Sequence, residues 1–327
     1  MIKENYFSKK LSCGSVLDYS AEFFRGNLKP LVIMTLIFHA PIMAVCYALM
    51  SPSMLYNNIM TDYADDSTLD VMMISVLLTY LGYGIMMLYH STLYFAYAGG
   101  VTKFTYEKIV NGETMKTGKA LKFGFKKFGW MILYQFILIF ALQAVIIALY
   151  FIIVIAALTT VFSPAATSFF ESMADNPVAL VVVILLLVLG IFAVILYFAV
   201  RLSLVLPAIM IDNCDCITAI KRSFSLTKKR VFRTFWTTAL GTYVINLASS
   251  ALTAIASLFV LFEGSLVSRI CYGVSGGIST LVTPLVFIIP TIIFINAKKQ
   301  NGDIDFEQRI KEVCPLCTRM PGRTQKK

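Results

Sequence analysis

The sequence predicts an all-α polytopic membrane protein with six transmembrane helices and basic amphipathic helices beside them. Three observations lead to this fold class. The 327-residue chain is 58% hydrophobic and only 14% charged, whereas about a quarter of the residues of a soluble domain are charged. Apolar runs of at least about 20 residues, the length that a helix needs to cross a bilayer, recur along the chain. The basic residues fall between these runs on alternate connections, as in cytoplasmic loops under the positive-inside rule.

The first half of the chain contains three of the predicted spans. Residues 1–29 are polar, but their apolar residues recur at helical spacing, which predicts an amphipathic helix too short to span. The first three spans are predicted at residues 31–50, 71–98 and 129–162. Four Asp and no Lys or Arg precede the second span, so this connection is predicted outside the cell. Seven basic residues precede the third, so that connection is predicted in the cytoplasm.

The second half of the chain repeats this alternation. Spans four, five and six are predicted at residues 178–211, 235–262 and 271–295. The connection before the fifth span holds six basic residues against two Asp and is predicted in the cytoplasm. Six spans then place both termini in the cytoplasm and the protein in the cell membrane. Residues 296–327 are predicted to form a basic, flexible cytoplasmic tail.

A basic amphipathic segment precedes each odd-numbered span. The three apolar anchors Phe24, Phe125 and Leu226 are spaced by 101 residues each time (125−24 and 226−125). The spacing predicts a threefold internal repeat, with units at residues 1–100, 101–200 and 201–295, each an interfacial helix followed by a two-helix hairpin. The alternative is that any cytoplasmic loop of a membrane protein is basic and partly apolar.

The second and third amphipathic segments have faces that can be specified from their spacing. One face of the second segment consists of three lysines, Lys119, Lys122 and Lys126. The apolar stripe of the third segment is predicted to consist of Ile217, Ile220 and Phe224. Such helices are expected to lie flat on the inner leaflet, with their basic faces toward anionic lipid.

The third unit resembles a known family. The residues that carry the resemblance are Arg201-Leu202-Ser203, Pro207, Asp212, Ala219-Ile220-Lys221-Arg222-Ser223-Phe224 and Leu226-Thr227-Lys228. They are similar to a pattern of uncharacterised bacterial integral membrane proteins related to the membrane domain of glycerophosphoryl diester phosphodiesterases. Thr283-Pro284-Leu285 resembles the family's C-terminal half, whereas Phe294-Ile295-Asn296 departs from its usual exit from the last span. The resemblance implies a helical membrane module without phosphodiesterase activity, because the catalytic barrel of some relatives is absent.

Six basic residues near the start of the fifth span are predicted to bind lipid: Arg201, Lys221, Arg222, Lys228, Lys229 and Arg230. The helix before Arg201 is long enough to bring this residue to the inner headgroup layer. Its planar guanidinium could there form two parallel hydrogen bonds with a lipid phosphate. Alternatively, Arg201 extends to the interface as an ordinary surface residue or pairs with Asp212.

The remaining polar candidates are cysteines and histidines. Four cysteines predicted on the cytoplasmic side could form a thiolate zinc site, with free thiols as the alternative: Cys214, Cys216, Cys314 and Cys317. No metal or other cofactor is predicted. The two histidines, His39 and His90, are expected at different depths, each bonded to a neighbouring helix rather than acting as a relay.

Two classes of function remain after these observations. The chain has no phosphate loop, nucleophile elbow or HExxH-type motif, so no enzyme is predicted, and no nucleic-acid partner either. The first class is a non-enzymatic membrane protein that contacts lipid or serves envelope homeostasis or membrane assembly, with the anionic inner leaflet as its partner. The alternative is a transporter or permease subunit for an amphiphilic solute, with a path lined by Gln135, Gln143 and Asn246. The sequence does not indicate which protein partners the chain has.

Overall fold

The computed structural model describes residues 11–50, 66–112, 115–162, 177–228, 230–257 and 266–302, and these residues form helices with no strand among them. The all-α class is therefore confirmed for this part of the chain. In chain order the α-helices are α1 Cys13–Gly26, α2 Leu28–Phe38, α3 Ala40–Leu49, α4 Asp66–Ser91, α5 Leu93–Tyr106, α6 Thr117–Lys126, α7 Phe128–Phe162, α8 Pro177–Leu202, α9 Val205–Ile211, α10 Cys216–Thr227, α11 Val231–Ser257, α12 Leu266–Ser279 and α13 Pro284–Gln300. A π-helical turn, Glu107–Asn111, follows α5, and a 3-10 turn, Thr280–Val282, joins α12 to α13.

Three stretches of the described residues are long and apolar enough to cross a membrane: Phe128–Ala148, Leu189–Ile211 and Ile270–Gln300. There are four if α2 and α3, which are bent by 47° at their junction, count as one span. The prediction of six spans is therefore not confirmed. One reason is that α11, in the place of the fifth predicted span, carries Thr, Ser and Asn residues that lower its mean hydropathy. The threefold repeat also stays a prediction.

Four of the apolar runs that were predicted as continuous helices are broken. The breaks lie at His39, at Thr92, at Ser203 and Leu204, and in the turn Thr280–Val282. Three of them come just before a helix with a proline in its first turn, Pro41, Pro207 or Pro284. Proline is tolerated in the first turn of a helix but interrupts a helix that runs through it, because it has no N–H and its ring clashes with the preceding turn.

Small residues bring α3 and α12 into close contact. A Cβ atom on Gly273 would lie 2.6 Å from the carbonyl oxygen of Ala44, and one on Gly276 would lie 2.1 Å from the ring of Tyr47. Gly273 and Gly277 form a GxxxG pair, which lets helices in a membrane approach closely. This signal is in the sequence, but hydropathy does not reveal it.

The first two amphipathic helices pack against the protein. In α1 the apolar stripe Val16, Tyr19 and Phe23 is buried, and this helix contacts α11 and α13. In α6 the buried residues are Ala120 and Gly124, where a Cβ atom on Gly124 would lie 2.0 Å from the carbonyl oxygen of Ala96 in α5. The three predicted lysines of α6 are exposed on its other side.

The apolar stripe predicted for α10 is not the face of this helix that is buried in the protein. Ile217 is 59% exposed, and the buried residues of this helix are instead Cys216, Ala219, Ser223, Leu226 and Thr227. The buried face contains mostly small side chains, so α10 can lie close to α8 and α9. Leu226 is the one large apolar side chain on this face, whereas Ile217 is exposed and Ile220 and Phe224 are half-buried.

Three polar contacts join the ends of helices that are far apart in the sequence. The thiol of Cys13, at the start of α1, lies 3.7 Å from the carbonyl oxygen of Arg233 in the first turn of α11. Lys127 Nζ lies 3.4 Å from the carbonyl oxygen of Asn213, and Lys298 Nζ, near the end of α13, lies 2.5 Å from Asp212 Oδ1. We call this region, formed by these residues and residues 212–233, the basic end. Residues 296–300 of the predicted tail belong to α13, which continues to Gln300, and the tail from residue 303 onward lies outside the described residues.

Candidate functional site

Asp212 holds the end of α9 to two other helices at the basic end. Its Oδ1 accepts from Lys298 Nζ at 2.5 Å, and its Oδ2 accepts from Arg222 Nε at 3.0 Å. The Lys298 residue is only 9% exposed. A buried charge of this kind is tolerated when it is paired and hydrogen-bonded, so Asp212 serves as the counterion of Lys298. The sequence alternative in which Asp212 pairs with Arg201 is therefore wrong.

Arg201 is the penultimate residue of α8, and its guanidinium binds the last turn of α10. One terminal nitrogen donates to the carbonyl oxygen of Phe224 at 2.8 Å, and the other donates to the hydroxyl of Tyr197 at 2.9 Å. In return, Ser223 Oγ donates to the carbonyl oxygen of Arg201. The last carbonyls of a helix have no partner within it, and a cation is stabilised beside them. Arg201 therefore caps α10, while part of its guanidinium remains unused.

An apolar cavity of about 210 Å³ lies between α7 and α8, beside Arg201 in the sequence of α8. Its lining consists of Leu138, Ala141, Val194, Ile195, Phe198, Ala199 and Leu202. Arg201 does not line this cavity, although Ala199 and Leu202 of the same turn of α8 do.

The other predicted lipid-binding residues have separate environments. Lys221 and Lys228 are exposed, and Arg222 is held by Asp212. Arg230 lines a small cavity between α1, α11 and α13. Lys229 lies outside the described residues. The structure therefore places the five described residues at one end of the molecule but does not bring them into a single cluster.

The small cavity beside Arg230 includes two residues that the sequence prediction did not single out, Arg233 and Asn296. Asn296 lies in α13, is 4% exposed, and its Oδ1 accepts from Gln300 Nε2 at 2.8 Å. The available signal was a lone amide side chain at the end of an otherwise apolar run, at the position where the chain departs from the family that it resembles.

The two histidines lie close together, so the expectation that they occupy different depths is wrong. Their ring centroids are 6.4 Å apart. The reason is that α4 ends just after His90, beside the break between α2 and α3 at which His39 stands. His39 Nδ1 lies 2.8 Å from the hydroxyl of Tyr89, and the rings of Tyr94 and Tyr97 pack around it. The expected bond from His39 to a neighbouring helix is confirmed.

The cysteines at the basic end are free thiols in the structure. Burial, followed by the charge of Asp212, raises the pKa of Cys214, and burial raises the pKa of Cys216. A raised pKa disfavours the thiolate, which is the form that binds metal. No group of three or more His, Cys, Asp or Glu side chains that could hold a metal ion occurs within the described ranges. Cys314 and Cys317 lie outside those ranges.

None of the three cavities described in this part of the chain is lined by the residues predicted for a transport path. Gln143 and Asn246 are exposed, and Gln135 is half-buried. A different cavity, of about 230 Å³, lies where α8 breaks into α9 and beside Pro290, which lies inside α13. Its polar lining consists of Ser203, Thr238 and Thr242, and the rest is apolar.

Comparisons of the chain with protein-family models, with curated proteins and with solved structures return no match. The resemblance to the membrane domain of glycerophosphoryl diester phosphodiesterases therefore stays a prediction, based on the residues of the third unit.

Proposed function

We propose that this chain is a non-enzymatic integral membrane protein that holds anionic phospholipid at its basic end, in a role of lipid contact, envelope homeostasis or membrane assembly. The observation that carries the proposal is the junction of charge and apolar surface around Arg201. Its guanidinium stands at the end of α8, and the apolar cavity between α7 and α8 is lined by residues on either side of it in the sequence, Phe198 and Leu202. In this proposal the phosphate of a lipid binds at Arg201, and an acyl chain of the same lipid occupies the cavity.

Exposed basic residues support the same proposal. Lys119, Lys122 and Lys126 are exposed on α6, and Lys221 and Lys228 are exposed on and after α10. Lys127, at the start of α7, contacts the loop before α10, which joins these surfaces at the basic end. Each basic residue near an anionic membrane surface contributes about 1 kcal/mol of attraction. The proposed location is the cell membrane, with the basic end in the cytoplasm.

The experiment is a measurement of lipid preference in reconstituted vesicles. The protein is placed in phosphatidylcholine bilayers, and its relative affinity for spin-labelled phosphatidylglycerol is measured by electron paramagnetic resonance. We expect a preference for phosphatidylglycerol that falls when the three lysines of α6 are changed to Gln. The matched control is the change of the same three residues to Arg, which keeps the charge and should keep the preference. Equal affinity for both lipids in the wild type would overturn the proposal.

A second variant tests the guanidinium itself. Arg201→Lys keeps the charge but removes the guanidinium, whose second terminal nitrogen has a further N–H donor for a phosphate beside its bond to Tyr197. We expect Arg201→Lys to retain less phosphatidylglycerol than the wild type when native mass spectrometry counts the lipids bound in detergent. If Arg201 only extends to the interface, the two proteins will retain equal amounts.

The alternative function, a transporter or permease subunit for an amphiphilic solute, is favoured by a specific observation. The cavity of about 230 Å³ adjoins a break in one candidate span and a proline in another. Interrupted helices often line the binding sites of transporters. A cysteine introduced at Thr242 in a cysteine-free background tests this reading. Reaction with a membrane-impermeant thiol reagent would favour transport, and protection from it would favour the lipid-contact proposal.

A further inference from the structure

A small cavity lies at the start of α11, where this helix meets α1 and α13. Its lining consists of Val16, Arg230, Arg233, Thr234, Thr237, Ile293 and Asn296. Its volume is about 20 Å³, and a cavity of about 10 to 15 Å³ already holds one water molecule. The interior therefore has room for one oxygen atom, and a larger group would remain at its mouth.

Two lining residues present buried hydrogen-bond donors without an acceptor. Nη1 of Arg230 and Nδ2 of Asn296 have no partner in the part of the chain that the structure describes. The Asn296 side chain is oriented by Gln300, which donates to its Oδ1. This leaves Nδ2 as the amide group available to the cavity. Buried donors in proteins almost always have an acceptor, so both groups require an oxygen at this position.

The charge of the cavity points to an anion rather than to water alone. Among the described residues, neither Arg230 nor Arg233 has a carboxylate within 4 Å. Burial, and secondarily the charge of Arg233, lowers the pKa of Arg230, although an arginine still keeps its charge in a protein. The 27-residue helix α11 begins at Val231, and its first N–H groups lack partners within the helix and attract negative charge. A water molecule would satisfy the donors but not the two positive charges.

We propose that this cavity binds a phosphate group, with one phosphate oxygen between Arg230 and Asn296 and the other oxygens at the mouth beside Arg233. Guanidinium groups suit this ligand because their parallel N–H donors match two oxygens of one phosphate. The phosphate belongs either to a lipid headgroup or to a soluble phosphate compound. This site specifies where the lipid contact of the proposed function takes place. The assignment of a lipid as the source of the phosphate rests on that proposed function.

Binding to the full-length protein in neutral detergent tests the site. The delipidated protein is titrated by calorimetry with inorganic phosphate and, separately, with short-chain phosphatidylglycerol. Arg230→Gln removes one charged donor, and Asn296→Leu removes the amide donor while keeping a similar shape. Each is expected to weaken binding on the order of tenfold, because each removes a hydrogen bond to a charged ligand. The matched control is Lys29→Gln, which removes an exposed charge at the start of α2 that does not line the cavity and should change the affinity less than about twofold.

The two probes separate the sources of the phosphate. Saturable binding of one phosphatidylglycerol per chain, with much weaker binding of inorganic phosphate, supports a lipid headgroup. Binding of inorganic phosphate with equal affinity supports a soluble compound. Arg233→Gln replaces any variant whose circular dichroism shows that it has not folded. The proposal is overturned if the wild type binds neither probe saturably, or if the variants bind like the Lys29→Gln control.

Failure here is distinguishable from failure of the proposed function. The preference for anionic lipid in vesicles depends on the exposed lysines of α6, which do not line this cavity. If that preference is found while Arg230→Gln and Asn296→Leu bind like the wild type, only the phosphate site is wrong. If no preference is found but one phosphate still binds, the site holds a soluble phosphate compound and the lipid-contact function is wrong.

Discussion

Two candidate spans, Phe128–Ala148 in α7 and Ile270–Gln300 across α12 and α13, have the same mean hydropathy of 2.4 but opposite environments. In the most apolar stretch of the α7 span, 12% of the residues are buried. In the most apolar stretch of the span across α12 and α13, 56% of the residues are buried. Their equal hydropathy therefore predicts that both spans are removed from water. It does not predict whether a span is covered by lipid or by the rest of the protein. A helix in a bilayer gains little hydrophobic free energy from packing on another helix, since lipid tails are as apolar as its neighbour.

The shapes of the side chains account for the difference. α12 contains three glycines, and two of them, Gly273 and Gly276, lie against α3 with no room for a Cβ atom. In α7 the one glycine, Gly129, is in the first turn, and large side chains such as Phe136 and Phe140 are exposed. Close backbone approach is what stabilises helix pairs in membranes. α7, which has no glycine beyond its first turn, therefore keeps its surface for lipid, which agrees with the proposal that acyl chains contact α7 and α8.

The largest expected contrast comes from removing a phenylalanine from each span. Phe294 in α13 is fully buried, and Phe140 in α7 is 70% exposed. Phe294→Ala should lower the free energy of unfolding by about 3 to 5 kcal/mol because it leaves a cavity. Phe140→Ala should change it by less than about 0.5 kcal/mol. Unfolding by SDS titration in mixed micelles measures both, and equal losses would show that α7 is packed in the folded protein.

The ion pairs of Asp212 should give the next largest effect. Asp212→Asn leaves the buried Lys298 charge without a counterion, so we expect a loss of about 3 kcal/mol in the free energy of unfolding. Asp18→Asn, at an exposed position of α1, is the control and should have little effect. The same SDS titration applies. A loss no greater than that of the control would mean that Lys298 finds another partner or reaches water.

A pair of glycine substitutions tests the role of small residues directly. At Gly276 an added methyl group would overlap the ring of Tyr47, so Gly276→Ala should destabilise the protein by about 2 kcal/mol. At Gly190 in α8 a Cβ atom meets nothing within 4 Å, so Gly190→Ala should be neutral or slightly stabilising. Thermal unfolding in detergent compares the two. Similar melting temperatures for both variants would contradict the close approach of α3 and α12.

The smallest expected effect is a pH dependence at the start of α10. Hydrogen bonds from Thr218 lower the pKa of Asp215 from its usual value of 3.8. A carboxyl group with a lowered pKa in the folded state stabilises it above that usual value, and this contribution is lost as the pH falls toward the folded pKa. Asp215→Ser keeps a side-chain oxygen that can cap the helix but does not titrate. We expect its stability to fall less between pH 5 and pH 3 than that of the wild type, measured by thermal unfolding.

The class of the protein follows from the sequence alone. Composition and the length of the apolar runs report the free energy of transfer out of water, to which each residue contributes largely independently of the others. The apolar runs, the buried stripe of α1 and the exposed lysines of α6 follow from spacing along the chain. The basic end was also foreseeable in part, since charge segregates between runs. Three of the four helix breaks could have been placed from Pro41, Pro207 and Pro284.

The contacts between polar groups, by contrast, depend on the tertiary structure. Asp212 pairs with Lys298, 86 residues away, and Arg201 binds the end of α10 instead of Asp212. His39 approaches His90, and Arg230 and Asn296 line one cavity, although all these residues stand on separate elements. Such contacts depend on how closely helices approach and at what angle. Both depend on small residues such as Gly124 and Gly276, whose effect on packing is invisible to hydropathy because they contribute shape and almost no transfer free energy.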